Sequence, residues 1–250
     1  MRYSVLTFNF GNYEILRDPE EVNPEVEYIC VTDNPNLKSK IWRIIVCEKR
    51  PGSNVYNAFY VRWHPFEFVT NDICLVLDGS MQIHKIPSNL MKEFQEGGYT
   101  LGLMLRQGDN PKTTMIHHQL ERWLKRDLPK EDYYAGMDYI AKNFPTRYHG
   151  YIQAGLRLTR RSGKTQEIEL RIWNKIVTLG NPFRVDQVPY SVEIQKRYPR
   201  EKYLFLDRRI IEGKFISLCV HNSNSRILSK NLKSKKIYFR NRLIKPFSNF

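Results

Sequence analysis

Through the first third of the chain, apolar residues come in short runs that stop on polar turns. "YSVLTFNFG" runs into a loop over residues 9–12, "VEYICVTDN" stops on Thr32, Asp33, Asn34 and Pro35, and "ICLVLDGS" stops on Asp78, Gly79 and Ser80. With "IWRIIVCEK" these make four runs of strand length within 83 residues. Between them "SNVYNAFYVRWHPFEFV" has helical spacing, with Ser53 or Asn54 as N-cap and Pro65 bending or restarting it. Further on, "SNLMKEFQEGG" predicts a helix capped by Ser88 and stopped at Gly97-Gly98, and "YTLGLMLR" a strand. "TMIHHQLERWLKRDL" and "EDYYAGMDYIAKNF" predict helices separated by Pro129. "YIQAGLRLTRRSGKT" reads as a strand and a basic turn, then "QEIELRIWNKIVTLG" as a helix with Ile168, Ile172, Ile176 and Leu179 on one side. "YLFLDRRII" and "KFISLCVH" are late strands. This alternation predicts an α/β fold with a mostly parallel central sheet flanked by helices. In such sheets ligands bind beyond the carboxyl ends of the strands.

Composition adds a core and a charge. Of 250 residues, 41% are hydrophobic and 13% aromatic, enough for one large domain or two small ones rather than a disordered chain. Net charge is +14, and residues 213–250 hold nine Lys or Arg with no Asp or Glu, leaving +5 for the rest. The domain is therefore expected over residues 1–222, with a basic arm over 223–250. A basic stripe suits nucleic acid, anionic lipid or phosphorylated ligands, although a charge run is most often a solvated surface. Cys30, Cys47, Cys74 and Cys219 make no Cys-x-x-Cys pair, and three sit in apolar runs, which favours reduced thiols and a cytoplasmic setting. Asn9 and Gly11 come too early for a signal peptide, and no window approaches ~18 continuous apolar residues.

The candidate chemistry gathers at turns. Asp78 ends a buried run, Gly79 lets the backbone come close to a ligand, and Ser80 adds a hydroxyl; the same tripeptide is also an ordinary turn. Asp186, followed by Gln187, is placed to act as a base or as the N-cap of the next element. His221 ends a strand, where an imidazole can complete a metal or diphosphate site with Asp78 or simply be solvated. His117 and His118 are adjacent, so only His118 shares a helix face with Glu121, and a zinc site is not expected. Gly163-Lys164-Thr165 is not a phosphate loop, because Leu158 stands where the first glycine is needed. Gly-x-Gly-x-x-Gly and Gly-x-Ser-x-Gly are both absent.

In order, "YICVTDN", Trp42, "LVLDGSMQI", "YIQAGLRLTRR", "IWNKI" and "VDQVPY" resemble a glycosyltransferase-like family of GT-A type. That family was once filed as a domain of unknown function, and it includes plant mucilage-related and bacterial polysaccharide-locus proteins. The resemblance covers roughly positions 1–220. It implies transfer of a sugar from a nucleotide-diphosphate donor, UDP- or GDP-linked, to a glycan or lipid-linked polysaccharide-precursor acceptor. Thr7, Gly11, Tyr13, Thr32 and Asp33 then match the edge that holds the nucleotide, and Arg62 a diphosphate partner. Asp78 and Gly79 match the donor signature. Gln153, Ala154 and Gly155 match the acceptor side, and Asp186 and Gln187 the reacting sugar or acceptor. Asp78, Ser80 and His221 match the site of Mn²⁺ or Mg²⁺, with Ser80 where the second acid of Asp-x-Asp is expected; a neutral hydroxyl is the poorer ligand. The basic arm is expected to touch the inner face of an anionic membrane. Two rival readings are a basic nucleic-acid-binding protein, although no such motif is present and no specific nucleic acid is expected, and a degenerate GT-A fold that binds a glycan or nucleotide without turnover.

Overall fold

The computed structural model describes residues 2–106, 114–125, 128–180, 185–198, 200–206 and 215–218. His221, Cys219 and the basic arm lie outside them. Seven strands form the middle layer: β1 (Tyr3–Asn9), β2 (Val26–Thr32), β3 (Arg43–Val46), β4 (Ile73–Leu77), β6 (Leu101–Arg106), β7 (Tyr151–Arg160) and β8 (Tyr203–Phe205). Their order across the sheet is β3-β2-β1-β4-β7-β6-β8. All run in one direction except β7, which lies antiparallel between β4 and β6. The mostly parallel α/β sheet read from the sequence is therefore present.

The apolar runs are near-continuous because the sheet is covered on both faces. Tyr3, Val5, Leu75 and Leu77 face a core with Trp42 and α2 (Ser88–Glu96). Leu6, Phe8, Cys74 and Val76 face the other way, towards Val61 of α1 (Asn54–Trp63). That second side also carries α3 (Ile116–Leu124), α4 (Lys130–Asn143), α5 (Gly163–Leu179) and α6 (Gln187–Arg197). The expected period of Ile168, Ile172 and Ile176 puts all three in this core, with Leu179 packed at its margin.

Local differences from the sequence reading have physical causes. Ser53 caps α1, its hydroxyl accepting from Tyr56 N at 3.1 Å, and Pro65 starts a short 3₁₀ turn, as expected. Ser88 is not the cap of α2: it is the first helical residue, and Pro87 precedes it with no side-chain cap bond. The basic turn after β7 is cut short, because the Ser162 hydroxyl accepts from Thr165 N and starts α5 at Gly163. Of "KFISLCVH", the described residues form β9 (Ile216–Leu218), which pairs antiparallel with β5 (Met81–Ile83) in a separate ribbon and not with the main sheet. Among the described residues, no helix is long and apolar enough to cross a membrane.

Candidate functional site

Parallel pairing sets three turn residues along one edge. β1 and β2 pair in register to Asn9↔Thr32, and β1 and β4 pair Leu6↔Val76, so Asn9, Thr32 and Asp78 all emerge at the carboxyl edge. Each turn is then fixed by its own hydrogen bonds. Asn9 exchanges bonds with the Glu14 backbone, Nδ2 to O at 2.6 Å and Glu14 N to Oδ1 at 3.1 Å, pinning the loop between them. The Thr32 hydroxyl donates to Asn9 O at 2.6 Å. The Asp33 carboxylate accepts from Gly11 N at 2.8 Å and pairs with Lys49 at 2.8 Å. Burial disfavours its charge, but those two partners outweigh that and hold its pKa below the ordinary value. Gly11 has a φ of +66°, and a Cβ there would sit 1.9 Å from the Asn54 amide.

The Asp78-Gly79-Ser80 turn closes with Met81 N donating to Asp78 O at 2.9 Å. Gly79 is required by space: a Cβ would lie 2.8 Å from the Phe8 carbonyl oxygen. From behind, Asp78 N donates to Gly155 O at 2.8 Å, and a Cβ on Gly155 would lie 3.1 Å from Asp78 Oδ2.

Arg62 joins this turn to the far part of the chain. It sits in the last turn of α1 and is 3% exposed. Its Nη2 donates to Asp78 Oδ1 at 2.5 Å and its Nη1 to Asp186 Oδ2 at 2.5 Å. Burial opposes the charge, but Asp186 and Asp78 together more than restore it, so the guanidinium stays cationic. Asp186 precedes α6 yet makes no side-chain cap bond. Its carboxylate, in a residue only 1% exposed, turns to Arg62 and to Trp63 Nε1 at 3.2 Å. Burial raises its pKa above the usual carboxylate value, against the pull of Arg62.

These groups border a cleft of about 270 Å³. Tyr13, Arg62, Asp78, Gly79, Ser80, Asp186 and Gln187 of the expected residues line it, together with Glu14, Asn54 and Phe59, which the sequence reading did not select. Gly11, Thr32 and Asp33 hold the adjoining loops, and Gly155 supports Asp78 from behind. Thr7 and Gln153 do not line the cleft: Thr7 is buried within β1 opposite Cys30, and Gln153 lies on β7 opposite Met104. His221 lies outside the described residues. His118 Nδ1 and Glu121 Oε2 are 3.1 Å apart, as their helix spacing implies.

A second polar layer lies beneath. Arg157 of β7 is fully buried, with its guanidinium over the Trp63 ring at 4.2 Å. Its Nη2 donates to the Arg62 carbonyl and to Glu169 Oε1, the latter at 2.7 Å. Glu169 also accepts from the Thr159 hydroxyl at 2.9 Å. Burial pushes the Glu169 carboxyl up to about 7, although Arg157 and Thr159 both favour its charged form. The sequence signal for this layer was an arginine inside the apolar run "GLRLT" and a glutamate beside Ile168 on the apolar side of α5.

The donors at the turn do not fit a tightly held divalent cation. Such an ion takes six or more oxygens, preferably anionic. Asp78 already gives one oxygen to Arg62, and position 80 supplies only a neutral hydroxyl. Among the described residues, no group of three His, Cys, Asp or Glu side chains is arranged to hold a metal ion.

No protein-family model and no curated protein matches the chain. Among solved structures, the chain is similar to the apo form of mouse xyloside xylosyltransferase 1, with a TM-score of 0.46 and 12% identity. The match covers 83% of this chain and 86% of that one.

Proposed function

We propose that this protein is a GT-A-type glycosyltransferase that moves a sugar from a UDP- or GDP-linked donor to a glycan or lipid-linked acceptor. One observation carries the reading. Arg62 ties the strand-end acid Asp78 to the buried acid Asp186 across a cleft at the carboxyl edge of a parallel sheet. That edge is where open α/β sheets bind ligands.

The chemistry follows from the charges. The acceptor oxygen forms a bond to the anomeric carbon while the bond from that carbon to the diphosphate oxygen breaks. The electron pair leaves with the nucleoside diphosphate, so a fixed cation must face it. Arg62 borders the cleft and is that cation. In an inverting reaction Asp186 accepts the acceptor proton, aided by the burial that raises its basicity. Protonation of Asp186 also weakens its hold on Arg62, leaving more of the guanidinium charge for the leaving group. Gln187 orients the acceptor. The Asp33 and Tyr13 side of the cleft takes the nucleoside.

The test is release of nucleoside diphosphate from a panel of sugar donors in the presence of glycan acceptors. Turnover with one donor, lost in Asp78→Ala and Asp186→Asn, supports the reading. Turnover that survives both substitutions contradicts it.

The domain boundary near residue 222, the cytoplasmic setting and membrane contact by the basic arm belong to the same proposal. Deleting residues 229–250 is expected to abolish binding to anionic liposomes; unchanged binding would remove that part.

A further inference from the structure

Two donor groups at the cleft are buried with no hydrogen-bond partner among the described residues. The Ser80 hydroxyl belongs to a residue 2% exposed, and its Oγ meets no hydrogen-bond partner. Arg62 Nε is likewise buried and unpartnered. Both residues border the same cleft, within one turn and one ion pair of each other. Native proteins rarely leave such groups unsatisfied, and the exceptions call for an explanation. Here one group is a hydroxyl, able to donate or accept, and the other a cationic donor, so a partner shared by both is an acceptor oxygen, best an anionic one.

Resting on the glycosyltransferase reading, we propose that the donor's diphosphate is bound directly by the Ser80 hydroxyl and the Arg62 guanidinium, without a bridging divalent cation. The alternative places a cation at Asp78. Arg62 Nη2 already holds Asp78 Oδ1 at 2.5 Å, so an arriving cation would meet a like charge at the acid meant to bind it. Glu14 and Asp186 also border the cleft, yet among the described residues no three acids converge on a metal position. Asp78 is then a positioning residue, which with Asp186 fixes the guanidinium in place before the ligand arrives. The serine at position 80 is what allows this, since a second carboxylate there would repel the diphosphate unless a cation intervened.

Calorimetric titration of UDP and of GDP into the full chain, in Mg²⁺, in Mn²⁺ and in EDTA, tests the proposal. The expected result is one nucleotide binding with the same affinity in all three. Ser80→Ala should weaken that binding by about tenfold in each, the value of one hydrogen bond to a charged group. Ser80→Asp should make binding depend on Mn²⁺ or Mg²⁺. Binding that EDTA abolishes and metal restores in the unmodified protein overturns the proposal and leaves the enzyme reading intact. A Ser80→Ala protein that binds as tightly as its parent overturns the role of Ser80. No binding of either nucleotide under any condition overturns both the proposal and the reading beneath it.

Discussion

Arg62 Nη1 and Asp186 Oδ2 lie 2.5 Å apart although 124 positions separate them in the chain. Through this contact, the end of α1 and the start of α6 meet at the turn that follows β4. The arginine carries one positive charge between two carboxylates, Asp186 buried with it and Asp78 partly open to the cleft. Its surroundings therefore make it both a structural tie and a cation bordering the cleft of the proposed reaction.

Replacing Arg62 with Met is expected to destabilise the protein by roughly 3–5 kcal/mol, because Asp186 is left buried without a charge partner and must take up a proton or stay ionised at a cost. Arg62→Lys should recover little of this, since an ammonium on a flexible stem cannot reproduce the fork that spans two carboxylates. Urea unfolding of the three proteins measures it. A lysine variant as stable as the parent would show that the bridging geometry is unimportant.

Asp78→Asn and Asp186→Asn should not act independently. Either change alone leaves Arg62 one carboxylate, and together they leave it none. The double variant is expected to lose about 0.5–3 kcal/mol more than the sum of the two singles. Denaturation midpoints from the four proteins of the cycle provide the comparison. Simple additivity would mean that Arg62 does not couple the two acids.

Glu169 should make stability depend on pH below neutrality. Its ordinary value is 4.5, and in the fold burial pushes it up to about 7. Below pH 4.5 the group is protonated in folded and unfolded chains alike. Between 4.5 and about 7 the unfolded chain releases a proton that the folded chain keeps, so stability falls as pH rises and then levels off. Over that window the parent should lose roughly 3 kcal/mol relative to Glu169→Gln, which does not titrate. Stability curves of the two proteins that stay parallel from pH 4 to 8 would contradict the assignment.

The two glycines that frame Asp78 should differ in tolerance. A Cβ at Gly79 meets a backbone oxygen at 2.8 Å, whereas one at Gly155 meets side-chain atoms of Asp78 and Met81 at 3.1 Å. Backbone cannot yield as a side-chain end can, so Gly79→Ala is expected to cost about 1–3 kcal/mol and Gly155→Ala less. Thermal unfolding ranks them; the reverse order would mean that the turn is looser than its contacts imply.

Much of this arrangement was legible in the sequence. Apolar runs ending on Asn9, Thr32 and Asp78 announced strands that share an edge, because both faces of a parallel strand are buried and its polar residues collect at its end. Asp78 and Asp186 were visible as acids at element boundaries. What could not be read was their joining. The period of α1 places Arg62 near its end but does not say which distant acid it meets, and an aspartate before a helix looks like an N-cap until its side chain is seen to turn away. Arg157 and Glu169 escaped for a related reason: each is one polar residue in an apolar pattern, and only packing shows that they satisfy each other. The apolar run of β9 identifies a strand without naming its neighbour, so its pairing with β5 appears only in the fold.

The central claim is that the Asp78 turn binds a nucleotide-diphosphate sugar. Thermal-shift titration of the full chain and of Asp78→Ala with a panel of UDP- and GDP-sugars tests it most directly. At least one donor is expected to raise the melting temperature of the parent protein and to leave that of Asp78→Ala unchanged. No stabilisation of the parent by any donor, or an Asp78→Ala protein that responds as the parent does, would contradict nucleotide-sugar binding at this turn.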